Sequence, residues 1–345
     1  MAECPLPDAT AATVLLGHGS GGRMTAELLR DLFLPALGNP VLNRLGDSAV
    51  FDAAGLRLAF TTDAFVVNPL RFPGGDLGSL AVHGTINDLA VAGARPLALA
   101  AAFILEEGYP LADLRGLVAS PRAAAHAAEI AVVAADTKVV ERGKGDGVYV
   151  ASSGIGVVPS GVDLAPAHAR PGDAVLVSGP VGDHGIAVLS AREGLAFSTA
   201  VVSDSAALHH LVGALLTSGA AVRCLRDPTR GGVATVVNEL AVAAGAVITL
   251  DEPAVPVRPG VRAACEMLGL DPLYVACEGR LLAIVAAADA GRALAALRAH
   301  PLGADAAAIG VVSAADAGPP ARLRTAFGST RALGVLPGAQ LPRIC

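Results

Sequence analysis

Four aspartates recur in one kind of place along the first half of the chain: Asp47 in LGDSAV, Asp63 in FTTDAF, Asp88 in HGTINDLA and Asp136 in AADTKVV. Each stands at a strand end or beside a turn, where a lone carboxylate ordinarily caps free backbone N–H groups. Four together support a second reading. Hard cations such as Mg2+ take carboxylate oxygens, retain waters and bridge acidic clusters to nucleotide phosphates. The residues therefore fit a magnesium-nucleotide site.

Other segments offer phosphate contacts, a base and a nucleophile. The stretch LLGHGSGGRMTAELL sets His18, Gly19, Gly21 and Gly22 directly before an amphipathic run. Backbone N–H groups and a helix dipole can cradle phosphate there, and the loop serves equally as a flexible cap. It matches neither the P-loop nor the dinucleotide fingerprint. RDPTRGG, with Asp227 and Arg230, is either a second phosphate-side loop or a tight strand-to-helix connection. Glu278 in ACEGRLLA is a general base if burial raises its pKa, or else surface decoration. Lys138 in DTKVV faces solvent or contacts an oxyanion. Cys345 is the last residue, on an arm rich in proline and glycine and without a prenylation box. Its thiol is an available, mobile nucleophile or an incidental tail residue.

The elements that must carry these groups alternate between apolar β-rich runs and alanine- and leucine-rich helical runs, the pattern of an α/β or α+β protein. Strands are expected at 41–45, 56–62, 97–105, 130–140 and 148–158, with helices at 77–92 and 112–127. These make a nucleotide-binding domain, 41–158, after an N-terminal glycine-rich segment and helix at 1–40. A linker rich in proline and glycine at 159–173 leads to a second α/β domain, 174–316. There strands are expected at 174–178, 281–286 and 306–312, and helices at 186–191, 205–216 and 234–244. Residues 317–345 lack either period and read as a mobile tail.

Composition sets the limits. At 345 residues the chain has room for two domains, and its 53% hydrophobic content is mostly small side chains, with no tryptophan. No run approaches the roughly 18 apolar residues of a membrane span, and the N-terminus does not read as a secretion signal. The expected compartment is the cytoplasm. Five cysteines, Cys4, Cys224, Cys265, Cys277 and Cys345, show no CxxC spacing, against a disulfide framework or structural zinc. A net charge of −6 without a basic block argues against a nucleic-acid partner.

Taken together, HGSGG, LGDSAV, TTDAF, HGTINDLA, FILEEG, DTKVV, GDHG, RDPTRGG and the terminal PRIC resemble the HypE family of hydrogenase maturation proteins, the carbamoyl dehydratases, from Gly17 to Cys345. Most of these motifs recur in the wider superfamily of aminoimidazole ribonucleotide synthetase, selenophosphate synthetase and thiamine-phosphate kinase; RDPTRGG and PRIC narrow the assignment. The resemblance implies a two-domain PurM-like fold whose N-terminal domains pair into a shared β-barrel in a homodimer, with ATP between the domains. It makes Asp47, Asp63, Asp88 and Asp136 the Mg-ATP ligands, with Asn87 beside them and His18 to Gly22 a phosphate-side loop; Asp227 and Arg230 are counted with the cofactor-binding residues. Lys138 and Glu278 fall where the family has groups implicated in dehydration. The family commonly has glycine before DTKVV, where this chain has Ala135.

The activity so implied is ATP-dependent dehydration of a carbamoyl group on Cys345 to a thiocyanate, supplying cyanide to the iron of a nickel-iron hydrogenase. The implied partners are a HypF-type carbamoyltransferase that loads Cys345 and a HypC–HypD complex that accepts the cyanide. ATP makes the amide oxygen a leaving group as phosphate, and a base near the nitrogen, for which Glu278 is the candidate, removes the proton. Two other readings share these residues: a synthetase or kinase acting on a diffusible substrate, and a non-catalytic nucleotide-binding scaffold.

Overall fold

The computed structural model describes residues 13–195, 200–338 and 341–345, so Cys4 lies outside the described residues. A short helical stretch, α1 (Arg23–Leu28) and α2 (Leu34–Leu37), precedes the first strand. A first sheet follows, from β1 (Ala49–Ala53), β2 (Leu56–Phe65), β5 (Arg95–Glu106), β6 (Ala131–Val140) and β7 (Val148–Val157), in the order β1-β2-β7-β5-β6. A two-stranded ribbon, β3 (Arg71–Phe72) and β4 (Gly75–Asp76), leads into α3 (Leu77–Val91), and α4 (Leu111–Ala127) joins β5 to β6. Buried and partly exposed residues alternate along the whole of β7, so one sheet face packs on the helices while the other stays open.

α3 is the pivot of the molecule. Asp76 caps it, accepting from the Ser79 N–H at 2.9 Å while Ser79 Oγ accepts from the Asp76 N–H at 3.0 Å. The helix is apolar nearly all round, the mark of an element covered on every side. Ile86 and Val82 pack within the first domain, while Ala90 and Val91 join the core of the second.

That second core surrounds a seven-stranded sheet, β14-β13-β10-β12-β8-β11-β9, made of β8 (Ala174–Val177), β9 (Val222–Arg226), β10 (Ala246–Asp251), β11 (Leu282–Val285), β12 (Ala307–Ala314), β13 (Ala321–Arg324) and β14 (Thr330–Ala332). α7 (Gly232–Ala244) covers one face; α6 (His209–Thr217) and α9 (Ala290–Arg298) cover the other. α5 (Asp183–Glu193) and α8 (Pro259–Leu268) pack together beside them. Gly232, which opens α7, has φ of +61°, and a Cβ there would meet the Leu273 carbonyl at 2.6 Å. The paired glycines of RDPTRGG thus allow a helix start no larger residue fits.

Three expectations change. Residues 41–45 are a short 3-10 turn, Leu42–Arg44, ending in left-handed Leu45 rather than a strand. The helix expected from 205 begins at His209, because 200–207 is an extended strap. The expected tail adds two strands to the second sheet: β10 pairs with β13, which pairs with β14, and a free tail would have left the edge of β10 open. Residues 341–345 are docked against the first domain, with Ile344 and Cys345 buried.

The domains are stitched by Asn87 on α3. Its Nδ2 donates to the Ala206 and Glu278 carbonyls at 3.0 and 3.1 Å, and its Oδ1 accepts from the Leu208 N–H at 2.8 Å. Asn87→Ala strips partners from buried backbone groups and is expected to cost about 2–4 kcal/mol, read as a lowered urea midpoint.

Candidate active site between the domains

The loop before β1, β2, α3 and the end of β9 bring Asp47, Asp63, Asp88 and Asp227 to one place. Single ligand oxygens of Asp47, Asp88 and Asp227 lie within 4.8 Å of one another. Thr61 on β2 donates to Asp88 Oδ2 at 2.6 Å and to the Asp47 carbonyl at 3.0 Å. Arg226 pairs with Asp47. Burial, then the charges of Asp227, Asp47 and Asp63, push Asp88 well above the usual carboxylate range. Burial and Asp47 push Asp227 up to about 8. Such crowding of acids needs positive charge to ionise fully, and the donor set suits a hard divalent cation bound through oxygen.

Asp136, expected as the fourth ligand, lies elsewhere. Register runs from Asp63 through Ser152 and Ala101 to Ala135, three strand spacings or about 14 Å. Asp136 is the next residue and points from the opposite sheet face, since side chains alternate along a strand. There it is exposed and ion-paired with Lys138 at 2.7 Å. Lys138, two residues on, shares that outer face. Within one chain neither reaches the cluster, where Asp227 completes the acidic trio instead.

Glu278, between the domains, is 2% exposed, and its Oε1 has no hydrogen-bond partner. Burial first, then Asp227, Asp63 and Asp204, raise its pKa well above normal, opposed by Arg230. Surface decoration is therefore the wrong reading of this residue. Arg230 stands among Cys345, Asp63 and Glu278, whose charges raise its own pKa. Gly21 lies directly over Arg230, where a Cβ would approach the Arg230 Cβ at 2.9 Å. Gly22 packs on the Leu336 carbonyl, and His18 Nδ1 accepts from the Leu15 N–H of its own turn at 2.9 Å. Gly19, Gly22, Arg230, Thr235 and Cys345 share the wall of a cavity of about 130 Å³. The glycine loop thus covers the thiol end of the site rather than the aspartates.

Cys345, expected to be accessible, is 8% exposed. Its carbonyl accepts from the Val66 N–H at 3.0 Å, continuing the line of β2. Burial pushes its thiol up to about 12, with Arg230 pulling the other way. Sequence reasoning passed over Arg226, Thr61 and Arg192; of these only Arg226 carried a signal, its place beside Asp227. His184 and His83 sit on Ser203 and Ser205 of the strap, at 2.8 and 3.0 Å.

A docked thiol with a raised pKa links docking to pH. Docking is at full strength below the free thiol value of about 8.5 and weakens about tenfold per pH unit above it, until about 12. Protection of Cys345 from iodoacetamide, relative to the free peptide LPRIC, is expected to be flat below about pH 8.5 and to fall above it; protection that stays flat to pH 10 contradicts the linkage.

Comparison with known proteins agrees with this geometry. The N-terminal domain model of AIR synthase related protein matches residues 45–158, and the C-terminal domain model matches residues 170–318. The carbamoyl dehydratase HypE of Cupriavidus necator is 57% identical over 331 residues, 96% of this chain and 94% of that protein. The crystal structure of HypE in complex with ATP is 48% identical with a TM-score of 0.81, covering 96% of this chain and 100% of that one. The HypE chain type also appears in a solved HypE–HypF complex, similar at 43% identity and a TM-score of 0.85, over 90% of this chain and 99% of that one. A likeness of this depth along nearly the whole sequence, through both domains, means that the chain belongs to the HypE carbamoyl dehydratases of the AIR synthase related family.

Proposed function

We propose that this carbamoyl dehydratase acts on a carbamoyl group carried by its own Cys345, converting it to the thiocyanate with ATP, in hydrogenase maturation. The observation that carries the reading is the burial of Cys345 beside Arg230 and Glu278 at the edge of an acidic cluster.

Each residue present has work in that step. Asp47, Asp88 and Asp227, with Asp63 beside them, would hold Mg2+, which when bound neutralises phosphate charge and orients the transferring phosphoryl group. Arg230 adds a fixed positive charge where the carbamoyl oxygen becomes a phosphate ester, and it stays charged at any working pH. The carbamoyl oxygen takes the terminal phosphoryl group as ADP leaves; the nitrogen then gives up two protons, one to Glu278 and one to the departing phosphate, as the carbon–oxygen bond breaks and phosphate carries off the oxygen of the lost water. Glu278 receives a nitrogen proton; burial and nearby aspartates hold its proton affinity high, as a base working on an amide-type nitrogen requires. Burial of Cys345 keeps bulk water from the adduct.

ATP binding comes from likeness to the HypE–ATP structure, and a HypF-type carbamoyltransferase as the loading partner from likeness to the HypE–HypF complex. We propose a HypC–HypD complex as the cyanide acceptor, a reading supported by the resemblance of the sequence motifs to the family. Among the described residues no helix is long and apolar enough to cross a membrane.

The homodimer has its own support. Phe60 and Ile104 are exposed on the sheet face that carries Asp136 and Lys138, Val133 and Val139 are exposed along β6, and among the described residues β6 is an uncovered edge strand. A second copy closing on this surface would bury them and take Asp136 and Lys138 out of solvent, giving Lys138 a route to the partner's site.

The direct test loads Cys345 with carbamoyl phosphate and the transferase, adds Mg-ATP and follows the intact mass of the tail peptide. Loss of one water that requires hydrolysable ATP is expected; a stable carbamoyl adduct in the presence of ATP refutes the reading. Glu278→Gln is expected to bind ATP normally and slow that loss by about 100-fold or more. If Lys138 acts across the dimer, mixing Lys138→Ala with Cys345→Ser chains restores dehydration that neither variant shows alone. No recovery in confirmed mixed dimers places Lys138 outside the partner's site.

A further inference from the structure

The docked tail is gripped by its backbone. Arg192 on α5 donates from Nη1 to the Pro342 carbonyl at 2.8 Å and from Nη2 to the Arg343 carbonyl at 2.7 Å, while its Nε donates to the Asn68 carbonyl at 2.7 Å. Two turns earlier on the same helix, His184 Nε2 meets the Ile344 carbonyl at 2.8 Å. A carbonyl only accepts, so the proton sits on Nε2 and Nδ1 accepts from the Ser203 hydroxyl at 2.8 Å. Three successive carbonyls, 342 to 344, are thus held from one helix. Arg343 itself has φ of +52°, a left-handed conformation that an arginine does not favour unaided.

The same contacts lead to Glu278. Ser203 precedes Asp204, whose Oδ1 accepts from the Glu278 N–H at 3.2 Å, and the Ala206 N–H donates to the Glu278 carbonyl at 3.4 Å. The strap lies so close that a Cβ at Gly279 would meet the Asp204 carbonyl at 1.7 Å. Its other end is fixed by the Ser203 N–H donating to the Pro73 carbonyl at 2.9 Å.

We propose that Arg192 and His184 are positioning residues forming a latch on the tail backbone, and that the Ser203–Asp204 strap joins this latch to Glu278, so that docking the tail and placing the base are one event. The latch reads main-chain carbonyls, which are identical whether Cys345 carries a thiol, a carbamoyl group or a thiocyanate. It therefore accepts every form of the carrier and leaves discrimination between them to the groups around the sulfur. The strained backbone at Arg343, whose side chain donates to the Val66 carbonyl at 2.9 Å and pairs with Asp146, offsets part of what the latch and these contacts gain, as a carrier that must also leave requires. The inference rests on Cys345 being that carrier.

The latch is tested on the full-length protein with a free Cys345, by timing iodoacetamide modification at pH 7.5 and mapping the tail peptide. Arg192→Ala is expected to speed modification of Cys345 by about tenfold or more. Arg192→Lys, which keeps the charge and loses the fork, is expected to recover little of the protection. This readout involves neither carbamoyl group nor ATP, so it stands apart from the dehydratase reading. Unchanged modification in both Arg192 variants overturns the latch. Coupling is tested on chains already carbamoylated: Arg192→Ala and His184→Ala are expected to slow dehydration by about tenfold while leaving ATP affinity unchanged. Faster thiol modification with dehydration at the wild-type rate overturns the link to Glu278, and if His184→Ala fails to fold, the Arg192 variants decide both points.

Discussion

Where the two domains join, five carboxyl groups crowd around two arginines: Asp47, Asp63, Asp88, Asp227 and Glu278 with Arg226 and Arg230. Taking this many like charges out of water is unfavourable, and the raised proton affinities of Asp88, Asp227 and Glu278 are its direct expression. The rest of the architecture makes the crowding possible. α3 is buried on every side because it serves two cores at once, and Asn87 ties its end to the backbone carrying Glu278. A divalent cation held by these oxygens would relieve a repulsion already present in the fold.

The docked tail belongs to the same electrostatic setting. Its thiol is kept neutral by burial although Arg230 favours the thiolate, so the docked chain end carries a quiescent sulfur in front of a concentrated field. The tail meets the first domain by extending the line of β2 and meets the second through backbone carbonyls facing α5. The side chains of Leu341, Arg343 and Ile344 add to this hold, Arg343 by donating to the Val66 carbonyl at 2.9 Å and pairing with Asp146, while the last side chain, the one chemically altered, is left out of the polar grip.

Much was legible in the sequence because it is local. Apolar runs marked β7 and α3, and paired glycines marked the start of α7. Residue type and spacing brought out Asp47, Asp63, Asp88 and Glu278, since buried acids at element ends are rare enough to stand out. Less was legible in the last thirty or so residues. β13 and β14 are strands of four and three residues; β13 pairs with β10 about seventy residues away and β14 with β13, and no local period announces such short strands.

Sequence by itself determined the family, the element types over most of the chain, and the presence of acids, a base and a terminal thiol suited to phosphoryl chemistry. Tertiary structure decided which of them meet. Asp136 looks equivalent to Asp63 in sequence, yet strand order and the two-residue alternation of side chains put it three strands away on the opposite face, while Asp227 arrives from the other domain to complete the acidic trio. Whether a terminal cysteine is loose or enclosed depended likewise on Arg192 and His184, polar groups on a distant helix whose carbonyl partners no sequence pattern could name. Pairing across the fold is set by register and packing, which a linear string does not contain.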